Sequence, residues 1–267
     1  MRTGGKNNIL GIMIDAADYD GAVRVIVNAA KQREPLSVSA LAVHGLMTGV
    51  LDSEQKYRLN HFDLLVPDGQ PVRWALNALY SAALKDRVYG PTLTLHVCRA
   101  AELEGLSVFF YGTTSDTLRA LEGSLQRKFP KLRIAGMEPS KFRQLTPREK
   151  LELADRVHNS GAAIVFVGLG CPRQEAFAYE FRKIIGVPIL AVGAAFPFIA
   201  ELLPQAPRWM QNAGLEWLYR LFSEPKRLWR RYLVFNPAYL TLLILQALGI
   251  KKYSPNGQAP TTELLYG

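Results

Sequence analysis

The sequence predicts an α/β fold, a mostly parallel sheet flanked by helices, with a basic, aromatic, helical appendage at its C-terminal end. Three observations carry that expectation. Apolar runs of strand length alternate about six times with segments of helical spacing. Asp68, Gly112, Gly168 and Gly193 each follow such a run directly, so the simplest layout brings them to one rim of the sheet. Of 267 residues, 49% are hydrophobic and 21% charged, which supplies a sizeable core and shows none of the apolar depletion that marks disorder.

Taken in order, residues 8–14 form an apolar run read as the first strand. Residues 19–31 place Val23, Val27 and Ala30 at helical spacing behind Asp18, a good cap residue. Residues 36–43 read as a second strand and 52–59 as a polar helix. A third strand at 63–69 closes in a Pro-Asp-Gly turn, and a helix runs from about 71 to 83. Helix is expected again at 92–103, strand at 107–111, and helix at 115–128 after a Gly-Thr-Thr-Ser loop. A short strand surrounds Ile134. Residues 147–159 make a helix opened by proline, and 162–167 and 187–192 are the last two strands.

Composition changes after about Pro204, which divides the chain into residues 1–204, the α/β domain, and 205–267, the appendage. Between 208 and 231 six basic residues, Arg208, Arg220, Lys226, Arg227, Arg230 and Arg231, stand against only Glu216 and Glu224. Trp209, Trp217 and Trp229 are interleaved with them. Residues 239–250 then form a nearly uninterrupted apolar run closed by Lys251-Lys252. At helical rise that run is roughly 18 Å long, too short to cross a bilayer but suited to lying in its interface.

The formal net charge of +9 implies an anionic partner, whether nucleic acid, nucleotide or acidic membrane surface. Cys98 and Cys171 have neither disulfide-framework nor zinc-site spacing, so a reducing cytosol fits best and no metal site is expected. No signal peptide is read before Asp15.

The most informative stretch is residues 165–176. A buried strand passes through Gly168 and Gly170, which let a ligand approach the backbone, into a helix opened by Pro172. The first turn of such a helix can hold a phosphate, and the amide of Gln174 could read a uracil or sugar edge. The third glycine of a dinucleotide fingerprint is missing, as is a ribose-binding acid about 20 residues on, which weakens the alternative of a Rossmann-like nicotinamide-dependent oxidoreductase.

Asp68 is the best candidate general base, on a rim loop that a substrate hydroxyl could reach; an Asx-turn is the plainer alternative. Asp18-Tyr-Asp20 could hold a metal-bound nucleotide but more naturally caps a helix. Of the four histidines, His44 alone follows an apolar strand to the same rim. No Gly-X-Ser-X-Gly elbow supports a serine hydrolase.

Together these stretches resemble the WecG/TagA/CpsF family of bacterial glycosyltransferases. Pro67-Asp-Gly69 resembles its strand-end motif and Val167-Gly-Leu-Gly-Cys-Pro-Arg-Gln-Glu175 its nucleotide-site signature. Gly214-Leu-Glu-Trp-Leu-Tyr-Arg220, Glu224-Pro225 and Arg230-Arg231-Tyr232 resemble its C-terminal segment, and the likeness spans roughly residues 8–235. It implies a Rossmann-like fold and an inverting, metal-independent transfer from a UDP-sugar to a polyprenyl-diphosphate-linked sugar. The expected place is the cytoplasmic face of the inner membrane, as a peripheral enzyme of exopolysaccharide or other surface-glycan synthesis.

Carried onto this chain, the resemblance makes Asp68 the general base, with Arg220, Arg227 and Arg231 stabilising the leaving diphosphate. His44, Gly69, Gly112, Gly168, Gly170, Arg173 and Gln174 are expected to line the substrate site. No cofactor and no nucleic acid are expected, and a homo-oligomer is compatible with it. The chain departs from the family at two places: Val43-His44 stands where Asn is usual, often beside Thr, and Pro91-Thr92-Leu93 follows Gly90 where Asp-Leu is common. The remaining alternative is a non-enzymatic membrane or nucleic-acid binder using the positive charge.

Overall fold

The structure, a computed structural model, describes the backbone of residues 3–267 and the side chains of residues 5–267 other than Arg208, Asn212 and Arg227. β1 (Thr3–Ile9) and β2 (Ile12–Ala17) precede α1 (Tyr19–Gln32). β3 (Ser37–Leu41), α2 (Val43–Leu51) and α3 (Ser53–Asn60) lead to β4 (Leu64–Pro67), α4 (Gln70–Tyr80) and α5 (Gly90–Leu103). Strand and helix then alternate through β5 (Ser107–Gly112), α6 (Ser115–Lys128), β6 (Arg133–Glu138), α7 (Pro147–Asn159), β7 (Ile164–Gly168), α8 (Arg173–Ile185) and β8 (Ile189–Ala191). The rest is helical: α9 (Ala195–Ile199), α10 (Arg208–Asn212), α11 (Glu216–Ser223), α12 (Pro225–Leu233) and α13 (Phe235–Ala247).

β3 to β8 form a six-stranded parallel sheet in the order β4-β3-β8-β7-β5-β6. A parallel sheet covered on both faces needs apolar side chains on both, which is why its strands read as unbroken hydrophobic runs. The pleat sorts them: Val165 and Val167 join a core with Phe177 and Phe181 of α8, whereas Ile164 and Phe166 join the opposite core with Leu93 and Val97 of α5. The predicted fold class is the observed one, including the helical C-terminal appendage.

Three local expectations are corrected. Residues 8–14 are not one strand but the turn of an antiparallel hairpin, pairing Asn8 with Met13 and Ile9 with Ile12. Leu10 and Gly11 make the turn with φ of 54° and 88°, and Leu10 is itself fully buried, so the apolar run continues through the bend. The second strand stops at Leu41. Val43 opens α2, whose first turn closes when the Leu46 amide donates to the Ala42 carbonyl at 3.0 Å. His44 is therefore a helix residue rather than a strand-end one.

The late apolar run begins earlier than expected, as α13, and packs against α2. Tyr239 is buried and its hydroxyl donates to the Pro71 carbonyl at 3.1 Å. Beyond α13 the chain crosses back over the sheet domain: Asn8 Nδ2 donates to the Tyr253 carbonyl at 2.8 Å and Asn60 Nδ2 to that of Pro255 at 2.6 Å. Among the described residues, no helix is long and apolar enough to cross a membrane.

Candidate active site at the carboxyl rim of the sheet

Parallel strands end together at one rim, and helices begin there. A cavity of about 740 Å³ opens at that rim. It is lined by His44 after β3, Asp68 after β4, Thr113 after β5, Gly168 at the end of β7 with Gly170, Cys171, Arg173 and Gln174 after it, and Gly193 after β8, with Arg220, Arg230 and Arg231 from α11 and α12. Gly69 lines an adjoining cavity of about 80 Å³, shared with Arg87, Glu216 and Arg231. Among the described residues, Gly112 does not line the large cavity; a Cβ on it would meet the Gly168 carbonyl group at 2.8 Å, so it lets the ends of β5 and β7 close up.

Asp68 is held by backbone on both sides. Its amide donates to the Leu41 carbonyl at 3.2 Å, and its Oδ1 accepts from the Gly90 amide, at the start of α5, at 3.1 Å. Burial pushes its carboxyl up to about 6; the Arg87 guanidinium pulls it down and Glu216 pushes it up. Arg87 and Glu216 are both buried and form an ion pair, with the guanidinium 4.3 Å from the centre of the Tyr89 ring.

The turn after β7 is tight on one side and open on the other. A Cβ at Gly168 would strike the Phe196 ring at 2.7 Å, whereas Gly170, with φ of 79°, has nothing within 4 Å of that position. The Cys171-Pro172 peptide is cis. Contrary to the expected phosphate cradle at this turn, the Gln174 amide is already spent on the Gly170 carbonyl at 3.0 Å, and proline has no N–H to offer. The Gln174 side chain is the available recognition group. It is buried, its Nε2 donates to Glu175 Oε1 at 2.9 Å, and among the described residues its Oε1 has no partner. That oxygen can accept from a sugar hydroxyl or a uracil N–H. Beneath it Glu175 is also fixed by the Ser39 hydroxyl at 3.0 Å, and burial raises its carboxyl.

His44 stacks on Phe235 of α13 at 5.5 Å between ring centres. Burial, reinforced by the positive charge of Arg231, pushes the imidazole down to about 4, so the ring is neutral at pH 7. Among the described residues its Nδ1 has no hydrogen-bond partner. Arg220 lies over Phe198 at 5.4 Å and Arg231 over Tyr232 at 5.6 Å. The side chain of Arg227 lies outside the described residues. Asp18 is a cap: it accepts from the Gly21 amide at 2.7 Å at the start of α1.

With a base candidate, an amide and several arginines around one cavity, the comparison with known families decides the class of chemistry. The sequence matches the Glycosyl transferase WecG/TagA/CpsF family over residues 7–253. The chain belongs to the WecG/TagA/CpsF glycosyltransferase family. A sugar donor and an acceptor follow from that membership, and neither a nicotinamide-dependent oxidoreductase nor a purely binding protein fits it.

Sequence reasoning missed part of this glycosyltransferase's rim. Arg87, Tyr89 and Glu216 surround Asp68, yet Arg87 and Glu216 are 129 positions apart and no local pattern joins them. Arg230, not among the expected site residues, shares the cavity with Arg220 and Arg231. The return of residues 263–267 to the rim had no signal in the side-chain pattern.

Proposed function

We propose that this glycosyltransferase moves a sugar, with inversion and without a metal ion, from a UDP-sugar to a polyprenyl-diphosphate-linked sugar. The observation that supports it best is one cavity carrying the raised carboxyl of Asp68 together with Arg220 and Arg231. As the acceptor oxygen bonds to the anomeric carbon, its proton passes to Asp68. The bond from that carbon to the diphosphate oxygen breaks, and the electron pair leaves with UDP. The arginines meet the charge that develops there. Arg173, Gln174 and the turn from Gly168 to the open backbone at Gly170 hold the donor. Neutral His44 and Gly69 lie on the Asp68 side, where the acceptor sugar enters.

In this reading residues 1–204 are the catalytic domain and 205–267 the membrane-proximal appendage. The enzyme works as a peripheral protein at the cytoplasmic face of the plasma membrane, in exopolysaccharide or other surface-glycan synthesis. Exposed Trp209 and Trp229 with neighbouring arginines suit an anionic lipid surface.

The test is UDP release over a panel of UDP-sugars, with and without a lipid-linked acceptor sugar. Asp68→Asn should lower turnover about a hundred- to ten-thousandfold while UDP affinity stays near wild type. Transfer by that variant at the wild-type rate would remove Asp68 from the role of base.

A further inference from the structure

The cavity has a wall that the family match does not cover. That match ends at residue 253, yet the chain afterwards returns to the rim. The Leu145 amide donates to the Leu265 carbonyl at 2.7 Å, and the Gly267 amide to the Arg143 carbonyl at 3.1 Å. Glu180 of α8 accepts the Leu264 and Leu265 amides together, at 2.8 and 3.0 Å. A carboxylate holding two adjacent amides is a firm anchor. Gly267 thereby lines the large cavity beside Ser140 and Phe142, and its backbone oxygen accepts from Ser140 Oγ at 2.6 Å. Next to it, the Tyr266 ring centre lies 5.7 Å from the Arg173 guanidinium, within cation–π range.

The position of this wall matters because the site is long. Asp68 follows β4 at one edge of the sheet and Ser140 follows β6 at the other, roughly 24 Å away at the usual strand spacing. A base at the β4 end must meet the acceptor hydroxyl and the sugar carbon. The nucleotide half of the donor then extends past β7, where Arg173 opens α8, toward β5 and β6, where residues 265–267 bond to the chain after β6.

We infer that residues 263–267 form a donor-binding strap: Tyr266 is a positioning residue that aims Arg173 at the nucleotide, and Gly267, Ser140 and Phe142 close the pocket on its nucleoside end. The inference rests on the UDP-sugar reading above. A Tyr ring fixed by backbone bonds loses little freedom on binding, so it can hold a long arginine in one orientation without itself touching substrate.

The test titrates UDP into the full chain, Tyr266→Ala, Tyr266→Phe and a chain ending at Thr262, and measures donor and acceptor KM for each. Tyr266→Ala should weaken UDP binding and raise donor KM about tenfold, with acceptor KM unchanged. Tyr266→Phe keeps the ring face and should stay near wild type, and the shortened chain should lose more than Tyr266→Ala. In the unaltered chain, hydrogen exchange at the amides of 264–267 should slow when UDP is added, a readout that needs no variant to fold. A lowered Tm for Tyr266→Ala with unchanged UDP affinity and donor KM, or exchange at 264–267 indifferent to UDP, would overturn the strap alone. A wild-type chain that binds no UDP would overturn the UDP-sugar reading and the strap with it.

Discussion

In its proposed role as base, Asp68 has to be ionised to accept a proton, yet it stands where charge is costly. Burial raises its carboxyl to about 6, and Arg87, the cation that pulls hardest against that, is also ion-paired with Glu216. A base whose pKa lies just below the working pH is both unprotonated and still basic enough to take a proton from a hydroxyl. Because the carboxylate is the active form, kcat/KM should fall as pH drops through about 6 and level off above it. Glu216→Gln removes a negative neighbour and frees Arg87, both of which lower the Asp68 pKa, so the acid limb should move down by about a unit. A limb that stayed in place, or moved to higher pH, would show that this pair does not set the base. His44 cannot be confused with it in such a profile, since its imidazole titrates near 4.

At the scale of elements, the rim depends on two strand ends that nearly touch. Gly112 and Gly170 both have positive φ, 116° and 79°, a conformation that costs another residue about 1–2 kcal/mol. Only Gly112 adds a collision, since its Cβ would sit 2.8 Å from the Gly168 carbonyl, while the space at Gly170 is open. Gly170→Ala should therefore lower Tm by about 2–4 °C and Gly112→Ala by several times that. Equal melting of the two variants would mean that β5 and β7 can separate at little cost.

The same contrast between local and distant causes explains what could be read in advance. α6 and α7 fall at the expected boundaries because their signals are local: Thr114 accepts from the Thr117 amide, and Thr146 with Glu149 forms a capping box before Pro147. The rim positions of Asp68 and Gly168 were legible because they stand at the ends of strands that are apolar on both faces, and that of Gln174 because the helix after β7 begins just before it. The hairpin was not, because buried Leu10 occupies the turn where a polar residue would have marked it. His44 was placed on the right rim but on the wrong element, since nothing in Ala42-Val43 announces a helix start. Arg87 with Glu216, and Glu180 with the strap, are pairings across the fold, and the strap is held largely through backbone groups that carry no sequence signal.

For the whole molecule, the proposed lipid-linked acceptor requires a membrane-facing surface on a chain with a net charge of +9. α13 has 13 residues, about 20 Å of helix, against a hydrocarbon core of about 30 Å. It has two unlike sides. Phe235, Tyr239, Leu242 and Leu243 pack into the core of the sheet domain, whereas Leu240, Ile244 and Leu248 are 52%, 57% and 67% exposed at helical spacing, just before Lys251-Lys252. An apolar stripe ending in cations is what the proposed interfacial contact needs. Deleting the helix would be a poor test, because it also removes buried Tyr239 and the Gln246 side chain that bonds the Leu10 amide and the Asn8 carbonyl. Replacing Leu240, Ile244 and Leu248 by serine alters the exposed stripe alone. That triple variant should keep its Tm and UDP affinity while its partition onto vesicles containing anionic lipid falls more than about tenfold, since each lost side chain removes apolar area from the interface. Wild-type binding should also weaken with added salt as the cations are screened. Cosedimentation of the triple variant at the wild-type level would overturn a contact through this stripe and turn attention to exposed Trp209, Phe222, Trp229 and Leu233 near the arginines.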